Sequence, residues 1–289
     1  MPILSLGYLR LDIADADAWQ PFMRDFLGLM EVEGTTPGAL SYRIDEYPAR
    51  FVLSPAEESR LAAVGWEVND RHEMAEMAAK IEAYGIEVEV GTPEECRLRA
   101  VTGFVRFLDP SGNPNELFWG PIYDFAPVQT PTVSKFVTGD QGLGHVIVSV
   151  LDSEVAYEFY CGVLGFEERN VLDIPGLDGR YYFLGCNPRQ HSLGLAPGAA
   201  PGLNHFMVEA ATLDDVGLGL DRAYNMGVPM MQTLGRHTND RMVSFYVYSP
   251  EGHHVELGFD GERIETRRPV YGIAEGAFWG HRFTPPPAD

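Results

Sequence analysis

Residues 235–256 gather three groups able to do chemistry into one short run: His237, Tyr246 and Glu256. Residues 242–248 are apolar and aromatic and read as a strand. Ser249-Pro250-Glu251-Gly252 reads as a turn, and Val255-Glu256-Leu257 opens the next strand. A carboxylate in an apolar strand is costly to bury, and a metal ion is one common way to offset that cost. Two further apolar strands carry histidines: His145 follows Gly144 and leads into Val146-Ile147-Val148, and His205 lies in Asn204-His205-Phe206-Met207-Val208. His191 falls within residues 189–195, read as a strand that follows Tyr181-Tyr182-Phe183-Leu184. Histidine titrates near neutrality, so each of these can hold a metal as neutral imidazole or move a proton. Singly, a strand histidine is more often a hydrogen-bonded core residue. His253 and His254 follow the turn and read as surface or supporting residues; His72 sits at a helix start and His281 in the tail, and neither has partners in the pattern.

The elements that would position these groups occur twice. Gly7-Tyr8-Leu9 and Gly144-His145-Val146 each lead into a helical stretch, which ends in Leu27-Gly28 or Leu164-Gly165, a shift of 137 residues. Asp109-Pro110-Ser111-Gly112 through Glu116-Leu117 matches Ser249-Pro250-Glu251-Gly252 through Glu256-Leu257 at a shift of 140. Gly85-Ile86 and Gly227-Val228 each follow an amphipathic helix. Two related modules are expected, 1–134 and 135–289, joined through a segment around residues 121–141 that is rich in Pro and Thr. Each module reads as two βαβββ units, giving an α+β fold with mixed sheets and helices outside.

Residues 235–257, with Gln141-Gly142-Leu143-Gly144-His145 at the start of the second module, resemble the type I extradiol ring-cleaving dioxygenases of the vicinal oxygen chelate superfamily. The resemblance covers nearly the whole chain; one departure is Ser249 before Pro250, which keeps the turn chemistry. It implies that each pair of units curls into an incomplete barrel. It implies iron(II) held by His145, His205 and Glu256, a donor set that suits non-haem iron. The first module has Tyr8 in place of the first ligand and no histidine near Gly65-Trp66-Glu67, so with Glu116 alone it is expected to be metal-free and to serve support and assembly. The resemblance gives His191 the role of acid/base, Tyr246 that of a hydrogen-bond donor to a catechol oxygen, and His237 that of positioning substrate. Asn239 and Asp240 would support His237. Ile147, Phe183, Leu195 and Pro197 are expected to line the substrate pocket.

The implied reaction is extradiol cleavage of a catechol by dioxygen. The look of residues 141–145 and 235–240 favours enzymes of bicyclic catechols, with 2,3-dihydroxybiphenyl first and 1,2-dihydroxynaphthalene as the alternative. Two other readings share the fold: a metal-dependent isomerase or lyase, which leaves His191, His237 and Tyr246 unexplained, and a metal-free small-molecule-binding protein, which needs no ligand set. The resemblance also implies a homo-oligomer, an octamer being one form.

Bulk properties agree. The chain has 289 residues, 45% of them hydrophobic, with a net charge of −21. That charge argues against nucleic acid and anionic membrane as partners and for a soluble cytoplasmic protein. Apolar runs approaching the roughly 18 residues of a membrane span are missing, as is the pattern of a secretory signal. Cys96, Cys161 and Cys186 are scattered and odd in number, which suits a reducing compartment.

Overall fold

The chain is seen in a computed structural model that describes residues 2–174, 176, 178–266 and 269–285. The four expected units are present. The first is β1 (Ile3–Ile13), a helix α1 (Ala16–Pro21) that widens into π-helical turns to Phe26, β2 (Met30–Val32), β3 (Leu40–Arg43) and β4 (Phe51–Pro55). The second is β5 (Arg60–Val68), α2 (Arg71–Tyr84), β6 (Glu89–Val90), a short helix α3 (Pro93–Arg99), β7 (Val101–Leu108) and β8 (Pro114–Pro121). The third is β9 (His145–Val150), α4 (Ser153–Tyr157) with a π-helical extension to Val163, β10 (Glu167–Leu172), β11 (Tyr181–Gly185) and β12 (Leu193–Pro197). The fourth is β13 (Gly202–Glu209), α5 (Leu213–Met226), β14 (Met230–His237), β15 (Val243–Tyr248) and β16 (His254–Phe259). Two strands follow that the sequence pattern did not announce, β17 (Tyr271–Ile273) and β18 (Ala277–Trp279).

Local chemistry sets the boundaries. Asp70 caps α2 by accepting from the amides of His72 and Glu73, and Thr212 caps α5. The repeated Gly28 and Gly165 both have φ of 77°, a left-handed conformation that ends each π-helical segment at little steric cost. That shared geometry is why both positions keep glycine.

Strands of the first two units form an eight-stranded sheet in the order β2-β3-β4-β1-β5-β8-β7-β6. Those of the last two, with the tail, form a ten-stranded sheet in the order β17-β10-β11-β12-β9-β13-β16-β15-β14-β18. Both are mixed, and neither closes through its own βαβββ units. The helices lie on the outer faces, where they meet the other module: the Arg222 guanidinium of α5 donates to the carbonyl of Phe26. One hydrophobic core runs across this boundary, with Trp66 against Phe166 and Phe51 against Phe206, ring centroids 5.0 Å apart in each pair. No helix among the described residues is long and apolar enough to cross a membrane.

Candidate active site

The order of the ten-stranded sheet brings the chemistry together. Reading across β12-β9-β13-β16-β15-β14, successive strands or their entry turns carry His191, His145, His205, Glu256, Tyr246 and His237. His145 is held against β13 because Gly144 before it has no side chain: a Cβ there would lie 2.0 Å from the Met207 carbonyl oxygen. His145 pairs with Met207, Met207 with Glu256, and Glu256 with Tyr246, so three neighbouring ladders fix the register. His191 lies in the turn before β12, which begins only at Leu193, and not within a strand as the sequence reading had it. Arg189 ties that turn to the Gln141 carbonyl and the Glu209 carboxylate, which bends the chain away from extended pairing.

Three ligand-type atoms converge. His145 Nε2 is 3.1 Å from His205 Nε2 and 3.1 Å from Glu256 Oε2, and His205 Nε2 is 3.6 Å from the same carboxylate oxygen. Glu256 is fully buried, and neither of its oxygens has a hydrogen bond of normal geometry. Two imidazole nitrogens facing each other beside a buried carboxylate leave lone pairs and negative charge that a divalent cation would satisfy. Burial keeps His145 neutral, lowering its pKa to about 4, which is the form a ligand needs. Burial also opposes the charge on Glu256, but the three surrounding imidazoles, His145, His205 and His237, outweigh it and hold the carboxyl well below its ordinary range. Asn204 orients His205 by accepting from its other ring nitrogen at 3.1 Å. A second set, His145, His191 and Asp240, is a poorer metal site: His191 Nδ1 is already bonded to Gln190 Oε1 at 2.6 Å.

The flanks differ. On one side, Tyr246 Oη and His237 Nε2 are 2.8 Å apart, with Glu256 Oε1 3.4 Å from the same nitrogen. Burial pushes the His237 pKa down, but the Glu256 carboxylate beside it raises it to about 9. Burial and that same charge raise the Tyr246 phenol well above its usual value. On the other side, His191 stacks on His145 with centroids 4.2 Å apart and meets the edge of Phe183. Burial, then the neighbouring His145, lowers its pKa well below normal. Asp240 is buried, which raises its carboxyl to about 6; it accepts from the Met242 amide and stands 3.8 Å from His191 Nδ1.

Above these groups lies a cavity of about 630 Å³. Ile147, Phe183 and Leu195, read from the sequence as pocket residues, line it, and so do Asn239 and Asp240, read as supports of His237. Pro197 does not: it pairs with Val150 at the far end of β9 and packs beside Gly179. His254 and His281 also line the cavity, which corrects the reading of His281 as a tail residue without partners. His281 is buried and stacks on His237 with centroids 3.9 Å apart. The C-terminal segment supplies Ile273, Gly276 and Phe283 as well.

The first module carries a different solution at the equivalent place. Tyr8 Oη donates to Glu116 at 2.5 Å, and Arg99 donates through Nε and Nη2 at 2.7 and 2.5 Å. A guanidinium thus occupies the position where the second module gathers its ligands. Tyr8, Tyr47, Phe104 and Phe118 form a small aromatic core there, and the remaining hollow is about 80 Å³.

Comparison with known proteins bears directly on this geometry. Residues 142–257 match the Glyoxalase/Bleomycin resistance protein/Dioxygenase superfamily, and residues 6–55 match the family described as Dihydroxybiphenyl dioxygenase BphC D1. The chain is 41% identical to an iron-dependent extradiol dioxygenase of Rhodococcus jostii (strain RHA1), with 98% of both proteins covered. The chain belongs to the extradiol dioxygenases of this superfamily. It is also 41% identical to a biphenyl-2,3-diol 1,2-dioxygenase of Metapseudomonas furukawaii, over 98% of this chain and 94% of the relative. The crystal structure of BphC, a halotolerant catechol dioxygenase, superposes with a TM-score of 0.92 at 35% identity, covering 97% of this chain and 95% of that one. A Mn(II)-bound glyoxalase from Novosphingobium aromaticivorans shares the fold at 22% identity and a TM-score of 0.83, covering 99% of this chain and 95% of that one. The fold is therefore wider than one chemistry, and in this extradiol dioxygenase the residues of the cavity decide the reaction.

Proposed function

We infer that this extradiol dioxygenase opens the ring of an aryl-substituted catechol, with 2,3-dihydroxybiphenyl the preferred substrate, and that its metal is iron(II) held by His145, His205 and Glu256. The observation that carries the reading is the convergence of these three buried groups at one wall of a roomy cavity that is largely apolar beyond them. His145, His205 and Glu256 would hold iron(II), which would supply open positions for ligands and the redox chemistry that the side chains lack.

The chain's own groups do the rest. The Tyr246 hydroxyl and His237 form a hydrogen-bonded pair on one flank, suited to hold a catechol oxygen. His191 stands across from them with Nδ1 bonded to Gln190 and Nε2 buried without a partner. A neutral imidazole in that state accepts the second hydroxyl proton at Nε2 and returns it later in the reaction. Ile147, Phe183 and Leu195 take the substituent ring and exclude water from it. The modules 1–134 and 135–289 divide the labour: the second does chemistry, and the first supports it. Three free cysteines accord with a cytoplasmic location, and a homo-oligomer completes the reading, to be checked by gel filtration.

Burying a second ring in this cavity contributes roughly 2–3 kcal/mol relative to bare catechol. Protein purified and loaded with iron(II) without oxygen should consume dioxygen with 2,3-dihydroxybiphenyl and form a yellow 2-hydroxy-6-oxo-dienoate. Its kcat/KM should exceed that for catechol by roughly a hundredfold. Equal values for the two substrates would rule out the aryl pocket. Preference for 1,2-dihydroxynaphthalene, the substrate named for a Sphingobium xenophagum relative 34% identical to this chain, would move the assignment to the fused-ring alternative.

A further inference from the structure

His191 is buried among stacked rings, and which of its nitrogens carries the proton decides what it can do. The answer can be traced from a backbone atom. The carbonyl of Tyr271, on the tail strand β17, can only accept. The atom of Asn170 that meets it at 3.1 Å is therefore the amide nitrogen, Nδ2. That turns Asn170 Oδ1 toward Gln190, which answers with its own amide nitrogen. Gln190 Oε1 is left facing His191 Nδ1 at 2.6 Å. An acceptor at that distance requires a donor, so Nδ1 bears the proton, and Nε2 of the neutral ring keeps a lone pair.

We propose that Gln190 and Asn170 are positioning residues that lock His191 in the Nδ1–H tautomer, so that its Nε2 lone pair is directed to the substrate side. The proposal rests on the extradiol reading for the role of His191, but the tautomer itself does not. Both amides are nine-tenths or more buried, so water cannot compete for their bonds. The rival orienting group is Asp240, whose carboxylate oxygen is 3.8 Å from Nδ1, too far for a hydrogen bond. The difference has a chemical meaning. A carboxylate at Nδ1 would attract a second proton onto the ring, whereas an uncharged amide sets the tautomer and adds no charge. Gln190 thus directs the imidazole without turning it into a permanent cation.

The test uses the full chain labelled with nitrogen-15 histidine and loaded with zinc(II), which is diamagnetic. In the wild-type protein, His191 should show a protonated Nδ1 and a lone-pair Nε2. Gln190→Leu should give a mixture of tautomers, and Asn170→Ala should do so in part, because the Gln190 amide can then turn over. With iron(II), Gln190→Leu should lower kcat by roughly 10–100-fold, the usual cost of losing an outer-shell partner, with KM for the catechol unchanged. Gln190→Glu, which puts a carboxylate at Nδ1, should keep the Nδ1 proton but draw a second proton onto Nε2, so that the ring reads as imidazolium where the wild-type ring is neutral. A wild-type His191 protonated at Nε2 would overturn the proposal, and so would an unchanged tautomer in Gln190→Leu. If the wild-type enzyme cleaves no catechol at all, the extradiol reading fails while the nitrogen-15 result still decides the tautomer.

Discussion

Arg99→Met tests whether the first module has replaced a metal centre with an ion pair. Arg99 and Glu116 side chains are 11% and 4% exposed, and the guanidinium makes two bonds to the carboxylate while lying 4.1 Å over the Phe104 ring. Removing one partner of such a pair leaves a buried charge and costs about 3–5 kcal/mol. Tyr8 still donates to Glu116, and methionine fills most of the volume, so the lower end, about 3 kcal/mol, is expected. For a protein of this size that is a fall in melting temperature of roughly 6–12 °C. Thermal unfolding followed by circular dichroism reads it. Replacing the whole cluster at once, with Tyr8→Phe, Arg99→Met and Glu116→Leu, should regain most of the loss, because no unpaired polar group is left. Iron content and turnover should stay near wild type in both variants, since the cluster lies outside the catalytic cavity. A loss below about 1 kcal/mol in the single variant, or a triple variant no more stable than the single, would refute the reasoning.

His145→Ala should abolish stoichiometric iron, whereas wild type holds about one ion per chain, as atomic absorption will show; metal bound instead near Tyr8 and Glu116 would overturn the assignment. His191→Gln should keep iron and catechol binding but slow turnover by about 10²–10⁴-fold; a change of only a few-fold would make His191 a bystander. The metal-free protein should lose stability as pH rises. The His237 pKa stands at about 9 against an ordinary 6.5 because the attraction of Glu256 exceeds the cost of burial. Its contribution is therefore complete below pH 6.5 and lost as pH climbs through 9. Denaturant titrations at pH 7 and 9.5, above the range where the histidines of lowered pKa titrate, should show the fall, and His237→Gln should flatten it.

Much of this was legible in the sequence because the module repeats. His145, His205 and Glu256 stand on neighbouring strands, and the shift of 140 residues between Glu116 and Glu256 marks equivalent ladder positions. The alternation of side chains tells which face of a strand a residue occupies but not how far along it lies from the site. Leu195 accordingly lines the cavity, and Pro197, two residues on along the same face, lies beyond it. Residues 189–195 read as a strand after 181–184, but the buried Arg189, tied to the Gln141 carbonyl, keeps His191 in the turn before it. Arg99 ends a helix of seven residues and gave no hint that it would reach Glu116 across β7 and β8. Strands β17 and β18 have no readable period at three residues each, which is why His281 reads from the sequence as a tail residue without partners.

Those two short strands have a mechanical consequence. β17 pairs with β10 on one edge of the ten-stranded sheet and β18 with β14 on the other, with three residues between them. Together they form a clasp across the mouth of the cavity. The clasp touches both flanks of the chemistry: Gly276 O meets His237 Nδ1 at 3.0 Å, and Tyr271 O anchors the amides behind His191. Few ladder partners hold it, so it is the cheapest part of the sheet to undo. Undoing it would widen the cavity and, in the same movement, free His237 Nδ1 from Gly276 and Asn170 from Tyr271, so the wall of the cavity and the anchoring of its histidines depend on one weakly held segment.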